Sequence, residues 1–255
     1  SPSIASANVR IIWETELYAT YGRRILMRVL FVSLIALLSI SISLPLEVES
    51  QNREFVGGGL SLARLKYGGG GDWYSNPTSL PNLLEALRER IDLSFLEEES
   101  VVEPSDPALF NYSIVFMNGH GTVRFTETEL EHLRQYLQRG GFLWADDNYG
   151  MDESFREEMR RLFPDHPLVP LPHDHPIYSY YYDFQSGPPK IHLHDGLPAQ
   201  GLGIHVDGRL VVYYTYQCDI GDGMESEGVH PEDSPEKRET ALRMGINVVL
   251  FALSS

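Results

Sequence analysis

"YSIVFMNGHGTVRFTETELEHLRQYLQRGGFLWADDNYG", Tyr112 to Gly150, holds two unbroken apolar runs with one amphipathic stretch between them. Runs such as Ile114 to Met117 and Phe142 to Ala145 suit strands that are buried on both faces, as the central strands of a parallel sheet are. Between them, Thr126 and Glu129 match a capping box. Leu130, Leu133 and Leu137 line one helical face, and Gly140 supplies the stop. A buried strand, a helix and a second buried strand in this order predict a right-handed crossover, with both strands adjacent or nearly so at the centre of the sheet.

Outward from this unit the alternation continues. "LSLARLKYG" (60–68) reads as a first strand. "TSLPNLLEALRERI" (78–91) reads as a helix with Ser79 as N-cap, Pro81 in the first turn, and Leu83, Leu84 and Leu87 on one face. "DLSFLEEESVVEPSD" (92–106) suits a short strand and loop, and "DESFREEMRRLF" (152–163) an amphipathic helix. After Pro164 the chain turns Pro- and His-rich, which predicts a long insertion over the sheet. "GLGIHVDGRLVVYYTYQ" (201–217) follows as a hairpin turning at Asp207 and Gly208, and "SPEKRETALRMGINVVLFALS" (234–254) as a closing helix.

The N-terminal fifty residues read differently. Met27 to Ser50 resembles a secretory signal peptide: Arg28 is followed by sixteen uncharged residues, Val29 to Leu44, and then by Pro45. Cleavage is expected before Gln51, with a retained N-terminal anchor as the alternative; sixteen residues fall short of the roughly 20 that a spanning helix needs. Residues 1–26 are then expected to be leader upstream of a start at Met27. The first fifty residues carry four Arg and four Glu, so the net charge of −16 belongs to residues 51–255. That balance disfavours nucleic acid and anionic membrane surfaces, which require clustered Lys and Arg, and leaves the N-terminal segment as the only expected membrane contact. Cys218, the single cysteine, permits no disulfide within the chain and reads as a small core residue rather than a nucleophile.

Several separated motifs in order, "YGGGGDWY", "NPT", "NGHG", "GGFLWADD" and "DHPIY", resemble the bacterial DUF4159 family, a domain of unknown function, over Leu60 to Leu253. The resemblance implies an α/β fold similar to the class I glutamine amidotransferase-like domains: a flavodoxin-like three-layer sandwich with a mostly parallel sheet. It implies no activity. Enzymes of that type carry a nucleophilic Cys in the turn after the strand that here reads "GGFLWADDNYG". Asp146 and Asp147 stand in that place, which excludes cysteine thioester chemistry.

Ligands of open parallel sheets bind beyond the carboxyl ends of the strands. Three polar clusters are expected there: Gly68 to Tyr74, Asn118 to Gly121, and Asp146 to Asn148. The run "KYGGGGDWYSNPTSL" has neither phosphate-loop spacing nor a G-K-[ST] ending, and Asp72 would repel a phosphate. Gly70 and Gly71 are expected to let the backbone pass close to its neighbour and aim Asp72, Trp73 and Tyr74 at a small polar ligand. His120, between Gly119 and Gly121, is a candidate general base or ligand, with Asp146 and Asp147 as candidate catalytic carboxylates, only one of which can face the crevice if both are still in the strand. His173 and His175 are candidate ligands for a divalent metal on H-x-H spacing. "QCDIGDGMESE" contributes Asp219, Asp222, Glu225 and Glu227, an oxygen-rich loop out of EF-hand register. A second H-x-H pair, His192 and His194, is expected at a surface or turn. Two functions follow: a binding or assembly module that takes a small polar ligand or another exported protein, or an exported hydrolase using His120 and an Asp, with or without metal assistance. Both versions expect Asp72, His120, Asp147 and His175 in one crevice.

Overall fold

A computed structural model describes residues 61–91 and 99–255. The expectations about residues 1–50 lie outside the described residues. The strands are β1 (Leu62–Leu65), β2 (Ser100–Val102), β3 (Ile114–Gly119), β4 (Phe142–Asp147), β5 (Val169–Pro170), β6 (Gln200–Val206) and β7 (Arg209–Tyr216). The helices are α1 (Ser79–Arg90), α2 (Glu127–Gln138), α3 (Asp152–Leu162), the one-turn α4 (Ile220–Gly223) and α5 (Pro235–Ser254). The strands form one sheet in the order β2-β1-β3-β4-β7-β6-β5. The first five in that order run parallel, β6 is antiparallel to β7, and β5 is antiparallel to β6.

β3 and β4 pair along their whole length, from Ile114 opposite Phe142 to Gly119 opposite Asp147, and every residue of both is buried. Alternate side chains feed two cores, because successive residues of a strand point to opposite faces. Leu62, Ile114, Phe116, Phe142 and Trp144 pack with Leu83 and Leu87 of α1 and with Met244 and Val248 of α5. Ala63, Leu65, Val115, Met117, Leu143 and Ala145 pack with Leu133 and Leu137 of α2 and with Phe155 and Met159 of α3. Helices therefore cover both faces, which is what lets the strands be apolar throughout.

α2 carries the expected capping box. The Glu129 amide donates to Thr126 Oγ1, and the Thr126 amide donates to Glu129 Oε2 at 2.7 Å. At α1 the structure differs from the expectation: Thr78 is the N-cap, with no side-chain cap bond of its own. Ser79 is already helical, and its hydroxyl turns back to donate to Asn76 O. Glu225, from a loop after β7, accepts from the Thr78 amide at 2.8 Å and supplies an acceptor for this helix start.

The Pro-rich insertion adds only the two-residue edge strand β5 and a short 3-10 turn, Pro176–Tyr178. Asn247, buried in α5, ties it down: its Oδ1 accepts from the Tyr181 and Tyr182 amides, and its Nδ2 donates to Ile177 O and Tyr182 O. Among the described residues no helix is long and apolar enough to cross a membrane.

Candidate functional site

Chain order along the sheet reverses at β1: β2 lies on one side of it and β3 on the other, so a crevice opens past the carboxyl ends of β1 and β3. The glycine run fills one lip of that crevice. The Gly71 amide donates to Thr122 O and the Asp72 amide to His120 O, stitching this loop to the turn after β3. Such closeness explains the glycines: a Cβ on Gly71 would stand 2.7 Å from His120 O, and one on Gly119, at φ 139°, would stand 2.9 Å from Asp72 Oδ1.

Across this seam Asp72 grips His120 twice. One carboxylate oxygen accepts from the His120 amide, and Oδ2 lies 3.1 Å from Nδ1. The ring is 51 % exposed, and Nδ1 is the nitrogen that Asp72 engages. Tyr74 is exposed, whereas Trp73 is partly buried against the α2/α3 core with Lys66 Nζ 5.8 Å from its ring centroid. Only Tyr74 of this aromatic pair thus stands open to a ligand.

β4 extends through both acids, so Asp146 and Asp147 point to opposite faces. Neither is free. Asp146 is wholly buried, its Oδ2 accepts from the Gly221 amide at 2.7 Å, and its Oδ1 shares a short hydrogen bond with Thr215. Burial pushes its carboxyl up to about 8, against the pull of the Gly221 and Thr215 bonds. Asp147 Oδ1 accepts from the Tyr149 and Met151 amides and fixes the turn into α3, and burial raises its carboxyl too.

Behind Asp146 lies a second buried polar group on the same face. Arg64, 2 % exposed in β1, donates to Ser75 O, Asn76 O, Asn118 Oδ1 and Ser79 Oγ and pairs with Glu99 at 3.2 Å. It braces the Ser75–Asn76 loop against β3. No periodicity in "LARL" marks this arginine as internal, since an apolar strand with one cation reads equally as an edge.

A dense ionisable cluster sits after β7, on the pair expected at the surface. His192 is held at both nitrogens: Nε2 lies 2.9 and 3.0 Å from the two oxygens of Asp233, and Nδ1 lies 3.2 Å from Asp222 Oδ2 and 3.6 Å from Asp219 Oδ2. The Asp222 hydrogen bond, opposed by burial and reinforced by Asp233, raises its pKa to about 9. His194 Nε2 makes a short contact with Asp219, and its ring stacks on Tyr149 at 4.7 Å. Burial raises the Asp219 carboxyl to about 8, with Asp222 adding to it. Burial is the largest influence on Asp222 and would raise it, but the His192 bond, the charge of His230 and the Asn76 amide together outweigh it, so this carboxyl is held below the ordinary value. Asn148 Nδ2 donates to Asp222 Oδ1 at 2.9 Å and so joins the β4 turn to the cluster. Sequence offered the H-x-H spacing and the acids of "CDIGD"; it offered nothing to pair His192 with Asp233, 41 residues on.

His175 lies elsewhere. It packs against His205 and Phe251, and its Nδ1 accepts from the Ile177 amide. Because β6 is antiparallel, His205, opposite Leu210, marks the end of the sheet where the parallel strands begin. The expected quartet therefore reduces to Asp72, His120 and Asp147, and Gly119 opposite Asp147 places these three at one end. Neither His173 nor His175 belongs to any set of three or more candidate metal ligands among the described residues. Glu225 is spent on α1, and Glu227 is exposed.

The sequence model of DUF4159, described as a domain of unknown function, matches residues 61–253. The chain belongs to this family. The matched span runs from the residue before β1 to the last turn of α5, so the DUF4159 domain is the whole of the sheet with its helices. Among curated proteins none matches the chain.

Proposed function

We propose that this DUF4159 domain is an exported ligand-binding or assembly module on a flavodoxin-like three-layer scaffold of the class I glutamine amidotransferase kind, without that scaffold's covalent chemistry. The observation that carries the reading is the state of the turn after β4. Asp146 is buried on Thr215 and Gly221, Asp147 is spent on two backbone amides, and the single thiol, Cys218, is buried with its pKa pushed up by burial. These groups shape the crevice and cannot attack a substrate. What remains open at the carboxyl ends is Tyr74, His120 and Tyr149, two phenol rings and an imidazole suited to a small polar ligand. Export rests on the character of Met27 to Ser50, and the partner on that side of a membrane is a small polar ligand or another exported protein.

A second reading has one observation in its favour. Asp72 on His120 Nδ1 leaves Nε2 positioned as a base toward water, the arrangement a hydrolase would use. Thermal unfolding with monosaccharides and free amino acids as probes separates the two. The module predicts a saturable rise in Tm that Tyr74→Ala and His120→Ala remove. Turnover of nitrophenyl esters or glycosides that vanishes in His120→Ala would replace it with the hydrolase.

A further inference from the structure

We infer that His192, His194, Asp219 and Asp222 form a binding site for one divalent first-row transition metal ion, with Asp233 as the residue that positions His192. The inference goes beyond the crevice reading and does not depend on what ligand, if any, that crevice takes.

Four observations support it. First, the donor atoms already converge: one ligand atom each from His192, Asp219 and Asp222 lie within 4.8 Å of one another, and His194 Nε2 touches the same Asp219 oxygen that faces His192. Second, Asp219 has a side chain with no exposure, and its Oδ1 has no hydrogen-bond partner. An unsatisfied carboxyl oxygen in a buried position is costly, and a cation held across both Asp219 oxygens removes the cost. Third, Asn148 in the turn after β4 donates to Asp222 Oδ1 at 2.9 Å, which fixes that carboxylate with its other oxygen, Oδ2, toward His192.

The fourth observation concerns how His192 is held. The Asp233 side chain, 1 % exposed, spans Nε2 with both oxygens and is itself paired to Lys237 Nζ at 3.0 Å, so the ring is fixed with Nδ1 aimed at one oxygen each of Asp222 and Asp219. That is the position a cation shared by the three side chains would occupy. Carboxylate, imidazole and metal in line are the usual way a protein orients a histidine ligand. Asn148 performs the parallel task for Asp222.

The donor set narrows the ion. Two imidazole nitrogens and two carboxylate oxygens, with no thiolate, suit zinc, manganese, iron(II), cobalt or nickel. They do not suit calcium or magnesium, which take oxygen ligands almost exclusively.

The test uses the full chain, stripped with a chelator and titrated with Zn²⁺ against a chromophoric competitor at neutral pH, and with Co²⁺ to read the d–d spectrum. One equivalent per chain is expected, with a rise in Tm. Asp219→Asn should remove stoichiometric binding, and Asp233→Asn should weaken it ~10- to 100-fold. Because Asp219 is buried, His194→Gln serves as a second, partly exposed variant. It should change the cobalt spectrum and weaken binding while leaving the metal-free Tm unaltered. His230 and Glu232 form a more exposed set that shares His192, so His230→Ala is the control expected to bind normally. Absence of a stoichiometric zinc equivalent in the unmutated chain overturns the inference. So does binding that survives both Asp219→Asn and His194→Gln, or binding that His230→Ala abolishes in their place.

Discussion

Replacing Asp146 by Asn should flatten part of the pH dependence of stability. Thr215 Oγ1 has one proton and two acceptors within reach, Ala145 O at 3.1 Å and Asp146 Oδ1, and it also accepts from Trp144 Nε1 at 3.2 Å. If the Asp146 carboxyl is protonated, it donates to Thr215, Thr215 donates to Ala145 O, and the Gly221 amide donates to Oδ2, so no group is left short. Ionisation takes away the proton that closes this circuit. The folded carboxyl accordingly titrates near 8, against 3.8 for an ordinary Asp. Between these values the folded chain holds a proton that the unfolded chain has released. Its stabilising contribution is complete below the unfolded value and falls as pH rises toward the folded one, by about 1.4 kcal/mol per pH unit. From pH 5 to pH 7 the loss is about 2.7 kcal/mol, or about 5–10 °C in Tm for a domain of this size. Asn mimics the protonated acid, with Nδ2 donating to Thr215 and Oδ1 accepting from Gly221, and it cannot ionise. Urea unfolding of both proteins at pH 5 and pH 7, in chelator, should therefore show Asp146→Asn gaining about 2.7 kcal/mol on the unmutated chain over that interval. Asp219, whose charge adds to the rise at Asp146, contributes a slope of the same sign in both proteins. Parallel profiles for the two would refute the protonated circuit.

Gly119→Ala places a methyl against the Asp72 carboxylate and forces an L side chain to φ 139°; a loss of about 2 kcal/mol is expected in thermal unfolding, and stability equal to the unmutated chain would show the seam to be looser than described. Asn247→Ala strips partners from the Tyr181 and Tyr182 amides and from two carbonyls; it should cost about 3 kcal/mol, with limited proteolysis cutting faster within 165–199, and an unchanged cleavage pattern would deny Asn247 its role as the tether.

The sheet was legible because burial on both faces leaves a simple signature. Ile114 to Met117 and Phe142 to Ala145 have no polar residue to place in solvent, and the capping box of Thr126 and Glu129 sets the start of the helix between them. The closeness of the glycine loop to the turn after β3 was legible as well, since glycines beside an acid and beside a histidine suit two backbones that nearly touch; that Asp72 is spent on His120 rather than aimed at a ligand was not. Neither was the position of His175. Which end of the sheet it reaches depends on where the Pro-rich insertion packs, and the contacts of His175 with His205 and Phe251, both far along the chain, leave no periodicity in its own segment. The importance of His192 was hidden for another reason. An ion pair has no periodicity, and nothing in the stretch around Asp233 distinguishes that acid from the many exposed ones of a chain carrying −16.

The pairing of β4 with β7 joins Leu143 to Val212 and Asp146 to Thr215, across an interval that contains the entire Pro-rich insertion. Strands β1 to β4 can be assembled while the chain is still being made, with Asp72 and His120 already in register. His192, Asp219, Asp222 and Asp233 all come later. Contacts this far apart in sequence form slowly, so the half-made domain passes through a stage in which the β4 edge is unpaired and Asp146 is still in water. Pairing of β4 with β7 and burial of that carboxyl then go together, and a proton taken up at Asp146 would report the moment.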